Sequence, residues 1–483
     1  MHQSGDEKNL ITAPLISTHK PATRSKAEKW VEFFAYGLGH FFNDLCASLW
    51  FTYLLLFYHS VIQLGNSYAG LLLLIGQVAD GICTPIIGMA SDHTKFKYYG
   101  RRKIWHLIGT ISVFISFSFI WYRCLLCDVT KTNSLAVEMV YYSVFIIIFQ
   151  FGWASVQISH LSLIPEITSN ESERVSLNSI RYFFTILANL TIFGVLAALF
   201  GFSGDDDISP NDLDSFWFLS LGTIGVGAVF SILFHIGVRE STDYKSKEFV
   251  PESSHVDTSG RSVTWYQWFL NPEFYFVAVM YMCTRLVVNI SQVYISLYLI
   301  DSLDLSKLSV AFSPLVIYVS GLITTLSMKY VNLLLGRELT YFVGLGFIWA
   351  AIETFWVIQR GSLANLAYLG SSFLGIGGSA ILVTALSMTS DLIGSNTGTG
   401  AFVYGAMSFT DKLSNGVVIQ VIQLVHPCKG EGEAACCSLC SPFYRYVMVS
   451  VPGVSSLIAY FGLCALILTR FFMKKRKTER VIQ

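Results

Sequence analysis

The chain is poor in charge. Only 13% of its 483 residues are Asp, Glu, Lys or Arg, where a soluble globular protein carries about 25%. A soluble chain of this length would need far more polar surface. No excess of one sign exists either: 32 basic and 32 acidic residues cancel, so nothing points to nucleic acid. No apolar stretch follows the polar first 30 residues' charges within that segment, so a cleavable leader is not expected. Heptads, Gly-X-Y periods, Gly-rich phosphate loops, nucleophile motifs and intramembrane metal spacing are missing. No enzyme, cofactor or metal is expected.

Long apolar runs are what remains. Hydrophobic residues make up 53% of the chain and aromatics 15%. A membrane helix needs about 20 mostly apolar residues. Runs near 33–58, 67–90, 104–122, 138–163, 179–200, 216–237, 273–300, 308–328, 339–358, 364–388, 399–425 and 444–470 satisfy this. They are too long and continuous for barrel strands. The expected fold is an all-α membrane protein with twelve spans in two six-helix bundles. The expected organisation is a tail (1–32), a first bundle (33–237), a linker (238–272), a second bundle (273–470) and a basic tail (471–483).

Lys and Arg set the orientation. One side collects Lys20, Arg24, Lys95, Arg101, Arg102, Lys103, Arg239, Lys329, Arg337 and the Lys474–Lys477 cluster. The other holds only Arg123, Lys131, Lys307, Arg360, Lys429 and Arg445. Both termini are therefore expected in the cytosol. The two halves also echo each other. Gly100-Arg101 after the second run matches Gly336-Arg337 after the eighth, and Glu166–Asn170 resembles Asp391–Asn396. Paired repeats are usual in two-bundle transporters.

Charges inside a membrane cost about 3 kcal/mol each at mid-bilayer and need a partner, a cavity or a function. This chain places Asp44, Asp80, Arg181, Arg285, Asp411 and Lys412 there. Polar neighbours fall on helical faces: His40 with Asp44; Gln157 with His160; Arg181 with Thr185 and Asn189; Arg285 with Asn289 and Gln292; Lys412 with Asn415. A shared water-accessible cavity is the simplest reading. Structural ion pairs are the alternative, and Arg181, near a run's end, can instead reach the interface. The candidate substrate-binding set is His40, Asn43, Asp44, Asp80, Thr84, Gln157, His160, Arg181, Arg285, Asn289, Gln292, Lys412 and Asn415. A small zwitterion suits it, with a carboxylate for the ammonium and Lys412, Arg181 or Arg285 for the carboxylate.

The run Gly88-Met-Ala-Ser-Asp92 followed by Gly100-Arg101-Arg102-Lys103 resembles the signature loop of the major facilitator superfamily. That resemblance implies a conformational gate at Gly88, Asp92, Arg101 and Arg102. Gly37–Asp44, Asp80–Gly88, His160–Glu166 and Ser408–Asn415 are similar to the glycoside–pentoside–hexuronide:cation symporter branch. There the position of Asp44 contacts sugar, those of Asp80 and Thr84 belong to a cation site, and that of Lys412 is shared between the two. Gln157 and Leu161 stand where that branch has an aspartate and a tryptophan, which thins both sites. Asn43–Leu56, Gly76–Pro85, Phe149–Ser155 and Gly400–Gly405 resemble an organellar branch of the superfamily. This implies import of cysteine into lysosomes and melanosomes, supporting cystine storage and pigment chemistry, with proton coupling open. A cation-coupled sugar symporter and a transport-inactive receptor or scaffold remain the alternatives.

Three features lie outside the bundles. Cys428, Cys436, Cys437 and Cys440 cluster in the last lumenal loop and are disulfide candidates, with a zinc site through the CxxC spacing as the alternative. The basic tail suits an anionic leaflet. Asp6 with Leu10 and Ile11 fits the acidic dileucine pattern read by clathrin adaptors. Replacing Leu10 and Ile11 by Ala should move the protein from lysosomes to the cell surface, scored by surface biotinylation. Unchanged lysosomal staining would remove the sorting role.

Overall fold

The computed structural model describes residues 26–94, 96, 98–130, 134–168, 170–202, 208–240, 265–358, 361, 363–394, 400–427 and 440–482. The sorting residues Asp6, Leu10 and Ile11 lie outside them, as do Cys428, Cys436 and Cys437. Cys440 opens a helix, but its side chain is outside the described set. Among the described residues the chain is helical, without strands.

The helices are α1 (Lys26–Leu38), α2 (Phe41–Leu56), α3 (Asn66–His93), α4 (Arg101–Ile120), α5 (Leu125–Thr130), α6 (Leu135–Ile167) and α7 (Glu171–Phe202). They continue with α8 (Leu213–Gly237), α9 (Pro272–Leu297), α10 (Leu308–Leu335), α11 (Arg337–Val357), α12 (Ala367–Ile393), α13 (Gly400–Leu424) and α14 (Cys440–Ile482). α1 and α2 form one span broken at Gly39–His40, and α5 is a short surface helix. Among the described residues, eleven spans are long and apolar enough to cross a membrane. The twelfth, α13, is long enough at 25 residues but carries Asp411 and Lys412 at its middle. An even number of spans brings the start of α1 and the end of α14 to one face, called here the tail face.

Several helices outrun their apolar runs. α7 starts eight residues before 179, and α14 continues to Ile482. Hydropathy measures only the bilayer's hydrocarbon width, whereas backbone hydrogen bonding continues through the interface. One consequence corrects an expectation: Arg181 is ten residues inside α7, not at a helix end. Starts are set by local chemistry. The Asn271 side chain accepts from the Glu273 N–H with Pro272 at the first turn, and Ser209 caps Pro210–Asp212 in the same way.

The halves repeat each other in detail. Gly100 and Gly336 precede α4 and α11 at φ of 105° and 76°, a region glycine enters without a Cβ clash. The arginine after each glycine pairs with an acid: Arg101 with Glu166, Arg337 with Asp391. Both α2 and α9 end in a π-helical turn, Phe57–Val61 and Tyr298–Ser302. α4 crosses α6 where Gly109 meets Gly152, and α11 crosses α12 where Gly344 meets Gly377. The halves meet through α3 on α13, α7 on α10 and α2 on α9, the pattern a pseudo-two-fold produces. Outside, Ile82, Ile86, Phe114, Ile115 and Leu333 are exposed. Lipid covers such a surface; water would not.

A Cβ on Gly109 would lie 2.7 Å from the Gly152 carbonyl oxygen, whereas one on Gly222 meets nothing within 4 Å. Gly109→Val should lower stability by about 1–3 kcal/mol through overpacking. Gly222→Val should not. Thermal unfolding of detergent-purified protein compares them; equal midpoints would refute the close-approach account.

Candidate functional site

A cavity of about 330 Å³ lies between the halves. Asp44, Phe51, Tyr182, Thr185 and Asn189 line it from the first half; Arg285, Asn289, Gln292, Tyr318 and Ser379 line it from the second. That volume is at the lower end for small-molecule sites. One anion and one cation face it from opposite halves.

Each charge is held. Asp44 Oδ2 accepts from Thr185 Oγ1 at 2.8 Å, and Oδ1 lies 3.0 Å from His40 Nδ1. Arg285 Nε donates to Asp411 Oδ2 at 2.9 Å. Asp411 Oδ1 accepts from Asn415 Nδ2 at 2.7 Å. Arg285 bound through Nε keeps four further N–H donors. Gln292 Nε2 donates to Thr52 Oγ1 across the halves and to Tyr318 Oη, both at 2.9 Å.

Lys412 belongs to a second cluster. Its Nζ lies 2.7 Å from Asp80 Oδ1 and donates to Thr84 Oγ1 at 2.9 Å. Thr84 also donates to Asp80 Oδ1 at 3.1 Å. This buried pair joins α3 to α13, so it ties the halves together. Asp212 with Lys307 at 3.3 Å, and Asn66 with His426 at 2.8 Å, join them at the face away from the tails.

The rest of the expected set is packed inside the first half. His40 Nε2 accepts from the Arg181 guanidinium at 3.3 Å. Asn43 Nδ2 donates to the Trp153 carbonyl at 3.2 Å, and Gln157 Oε1 accepts from Trp153 Nε1 at 3.1 Å. His160 stacks on Tyr36 at 4.1 Å and bonds its carbonyl through Nε2 at 2.8 Å. Of the expected residues, Asp44, Arg285, Asn289 and Gln292 line the cavity. His40, Asn43, Asp80, Thr84, Gln157, His160, Arg181, Lys412 and Asn415 do not. Sequence spacing reports a shared helix face, but not which faces meet across the bundle. Tyr318 and Ser379 carried no signal because neither bears charge.

The loop between α3 and α4 is clamped. Arg102 donates through its guanidinium to Ser91 Oγ, and the Arg102 and Lys103 N–H groups donate to the Glu240 carboxylate. A Cβ on Gly88 would meet nothing within 4 Å; the Asp92 side chain lies outside the described set. Burial pushes the Tyr99 phenol of this loop up from its ordinary value.

Two six-helix halves around a central cavity that holds one anion and one cation define a major facilitator transporter. The chain belongs to the family described as MFS/sugar transport protein, which matches residues 35–426. It is 46% identical over 453 residues to major facilitator superfamily domain-containing protein 12 of Homo sapiens, covering 90% of this chain and 92% of that one. The isoprimeverose transporter of Lactiplantibacillus pentosus is 27% identical over 55% of this chain and 52% of its own. Among solved structures, a bacterial homologue of the human lysosomal transporter Spinster, inward-facing and unoccupied, superposes with a TM-score of 0.63 at 14% identity, covering 93% and 99% of the two chains.

Removing one partner of the buried Asp80–Lys412 pair strands the other. Lys412→Ala should destabilise the protein by about 3–5 kcal/mol. Adding Asp80→Asn should restore much of that loss. A double-mutant cycle on thermal unfolding reads the coupling, and additive effects would show that the pair does not interact.

Proposed function

We propose that the protein carries cysteine from the cytosol into lysosomes and melanosomes by alternating access, with both termini cytosolic. The observation that carries this is the cavity with Asp44 on one half and Arg285 on the other. An amino acid's ammonium suits Asp44, and its carboxylate suits the free edge of Arg285. A small side chain suits the limited volume. The choice of cysteine among small zwitterions rests on the sequence resemblance to the organellar branch. The Lys and Arg asymmetry supports the orientation.

Bridging both halves with one substrate is how binding biases a rocking equilibrium. The solute replaces the contacts Asp44 makes with His40 and Thr185. The Asp80–Lys412 tie between α3 and α13 must then break or re-form as the halves tilt, which makes Lys412 a strut of the cycle. Gly88 and Asp92 at the end of α3, with Arg101 and Arg102 at the start of α4, would act as the conformational gate at the tail face. Adaptor recognition of Asp6, Leu10 and Ile11 would deliver the protein to lysosomes.

Purified protein in liposomes should accumulate labelled cysteine. Asp44→Asn and Arg285→Gln should each reduce uptake by about 10- to 100-fold, the loss of one charge-assisted hydrogen bond. Lys412→Ala should abolish uptake without changing lysosomal targeting. Sugar uptake with no cysteine uptake would favour the symporter alternative instead. Normal cysteine transport by Asp44→Asn would refute the site.

A further inference from the structure

The cavity between the halves is long, and its charge sits at one end. Its lining runs from Asp44 to Phe51 on α2, from Leu322 to Pro314 on α10 and from Leu382 to Leu374 on α12. At 1.5 Å per residue, each stretch is about 10–12 Å long. Odd spans run away from the tail face and even spans return to it, so α2 and α9 lead away while α10 and α12 lead back. Asp44 and Arg285 therefore lie at the tail-face end of the lining. Phe51, Pro314 and Leu374 lie at the deep end. Among the described residues that line the cavity, only Asp44 and Arg285 are charged.

The deep end is closed and offers carbon surface. Phe51 from the first half and Tyr318 from the second each bring one ring. Phe51 sits edge-on to Trp153, and Tyr318 leans against Phe193. Behind them the halves are tied. Gln292 Nε2 donates to Thr52 Oγ1 and to Tyr318 Oη, and Tyr53 Oη donates to the Val310 carbonyl at 3.1 Å. Both Gln292 amide hydrogens are thus committed to protein oxygens. Asn189 is committed as well, accepting from Ser48 Oγ at 2.8 Å and donating to the Thr185 carbonyl at 2.7 Å.

An amino acid with a short side chain does not reach this end. With its ammonium at Asp44 and its carboxylate at Arg285, cysteine carries its sulfur two bonds from the α-carbon, roughly 3 Å away. Most of the length beyond the charge pair stays unfilled.

We propose that the cavity is a two-part site, whose charged end takes an amino-acid head and whose deep end takes an uncharged apolar group on the sulfur, so that the protein binds and carries cysteine thioethers as well as cysteine. This rests on reading the cavity as the transport site. The disulfide-linked dimer of cysteine fits poorly. Its second ammonium and carboxylate would reach the deep end, where no opposite charge meets them. A neutral alkyl or aryl substituent instead leaves water together with the faces of Phe51, Tyr318 and Leu374. The deep wall also limits length, because a chain longer than the cavity meets the tie between Gln292 and Thr52.

Calorimetric titration of purified protein with S-methyl-, S-ethyl-, S-propyl- and S-butylcysteine tests the depth. Affinity should rise about fourfold per added CH2, the usual gain on burying one. S-dodecylcysteine, longer than the cavity, should fall off that trend. N-acetyl-S-butylcysteine, which lacks the ammonium, should not bind; this separates the site from partition into detergent. Leu374→Phe shortens the deep end and should cut the S-butyl-to-S-methyl affinity ratio about tenfold, the burial of roughly two CH2 groups. Phe51→Ala widens the same end and should raise the preference for S-benzylcysteine over S-methylcysteine. The opposite signs guard against misfolding of either variant. Labelled S-butylcysteine should enter liposomes, and excess cysteine should block its entry. A flat affinity series with cysteine bound normally would overturn the deep subsite and leave the cavity reading standing. Binding of thioethers without entry would overturn their carriage. No binding of cysteine or of any thioether would refute the cavity reading itself.

Discussion

A charge away from water must find an opposite charge, and that requirement organises the membrane interior here. Asp80 takes Lys412, Asp411 takes Arg285, and Asp212 takes Lys307. Asp44 is met by His40 and Thr185, with Arg181 behind His40. The first and third of these pairs cross between the halves. Stability and transport therefore draw on the same contacts: a tie strong enough to hold the bundle must also be exchangeable when the halves move.

Asp44 stands apart because three neighbours differ in what they allow. Thr185 donates a neutral hydrogen bond, the His40 ring lies beside it, and the cavity opens on its third side. Arg285 is held on its Nε edge by Asp411, which Asn415 in turn fixes. The second half thus presents a cation to the cavity, and the first an anion.

The two halves share a scaffold but not this chemistry. Glycine crossings, positive-φ glycines before α4 and α11, arginine–acid pairs and π turns recur in both. Those features concern backbone approach and helix ends, which pseudo-symmetry preserves. The Arg285–Asp411 pair belongs to the second half, and the Asp44 contacts with His40 and Thr185 belong to the first.

The spans, their number and the internal repeat were legible in the sequence, because a bilayer imposes a length and an apolar composition on each helix separately. The Gly100-Arg101 and Gly336-Arg337 echo was legible for the same reason: it is local. The buried charges were legible as a set, since their cost does not depend on fold. Their partners were not. Lys412 with Thr84, beside Asp80, spans 328 positions along the chain, and a helical face says nothing about which neighbour it meets. His106 and His235 drew no notice in the sequence, being single residues on apolar helices. Only packing α4 against α6 and α8 aligned them with His160 and His40. Composition decided that this chain crosses a membrane; the rotation of each helix about its own axis decided which polar groups share a cavity or a tie.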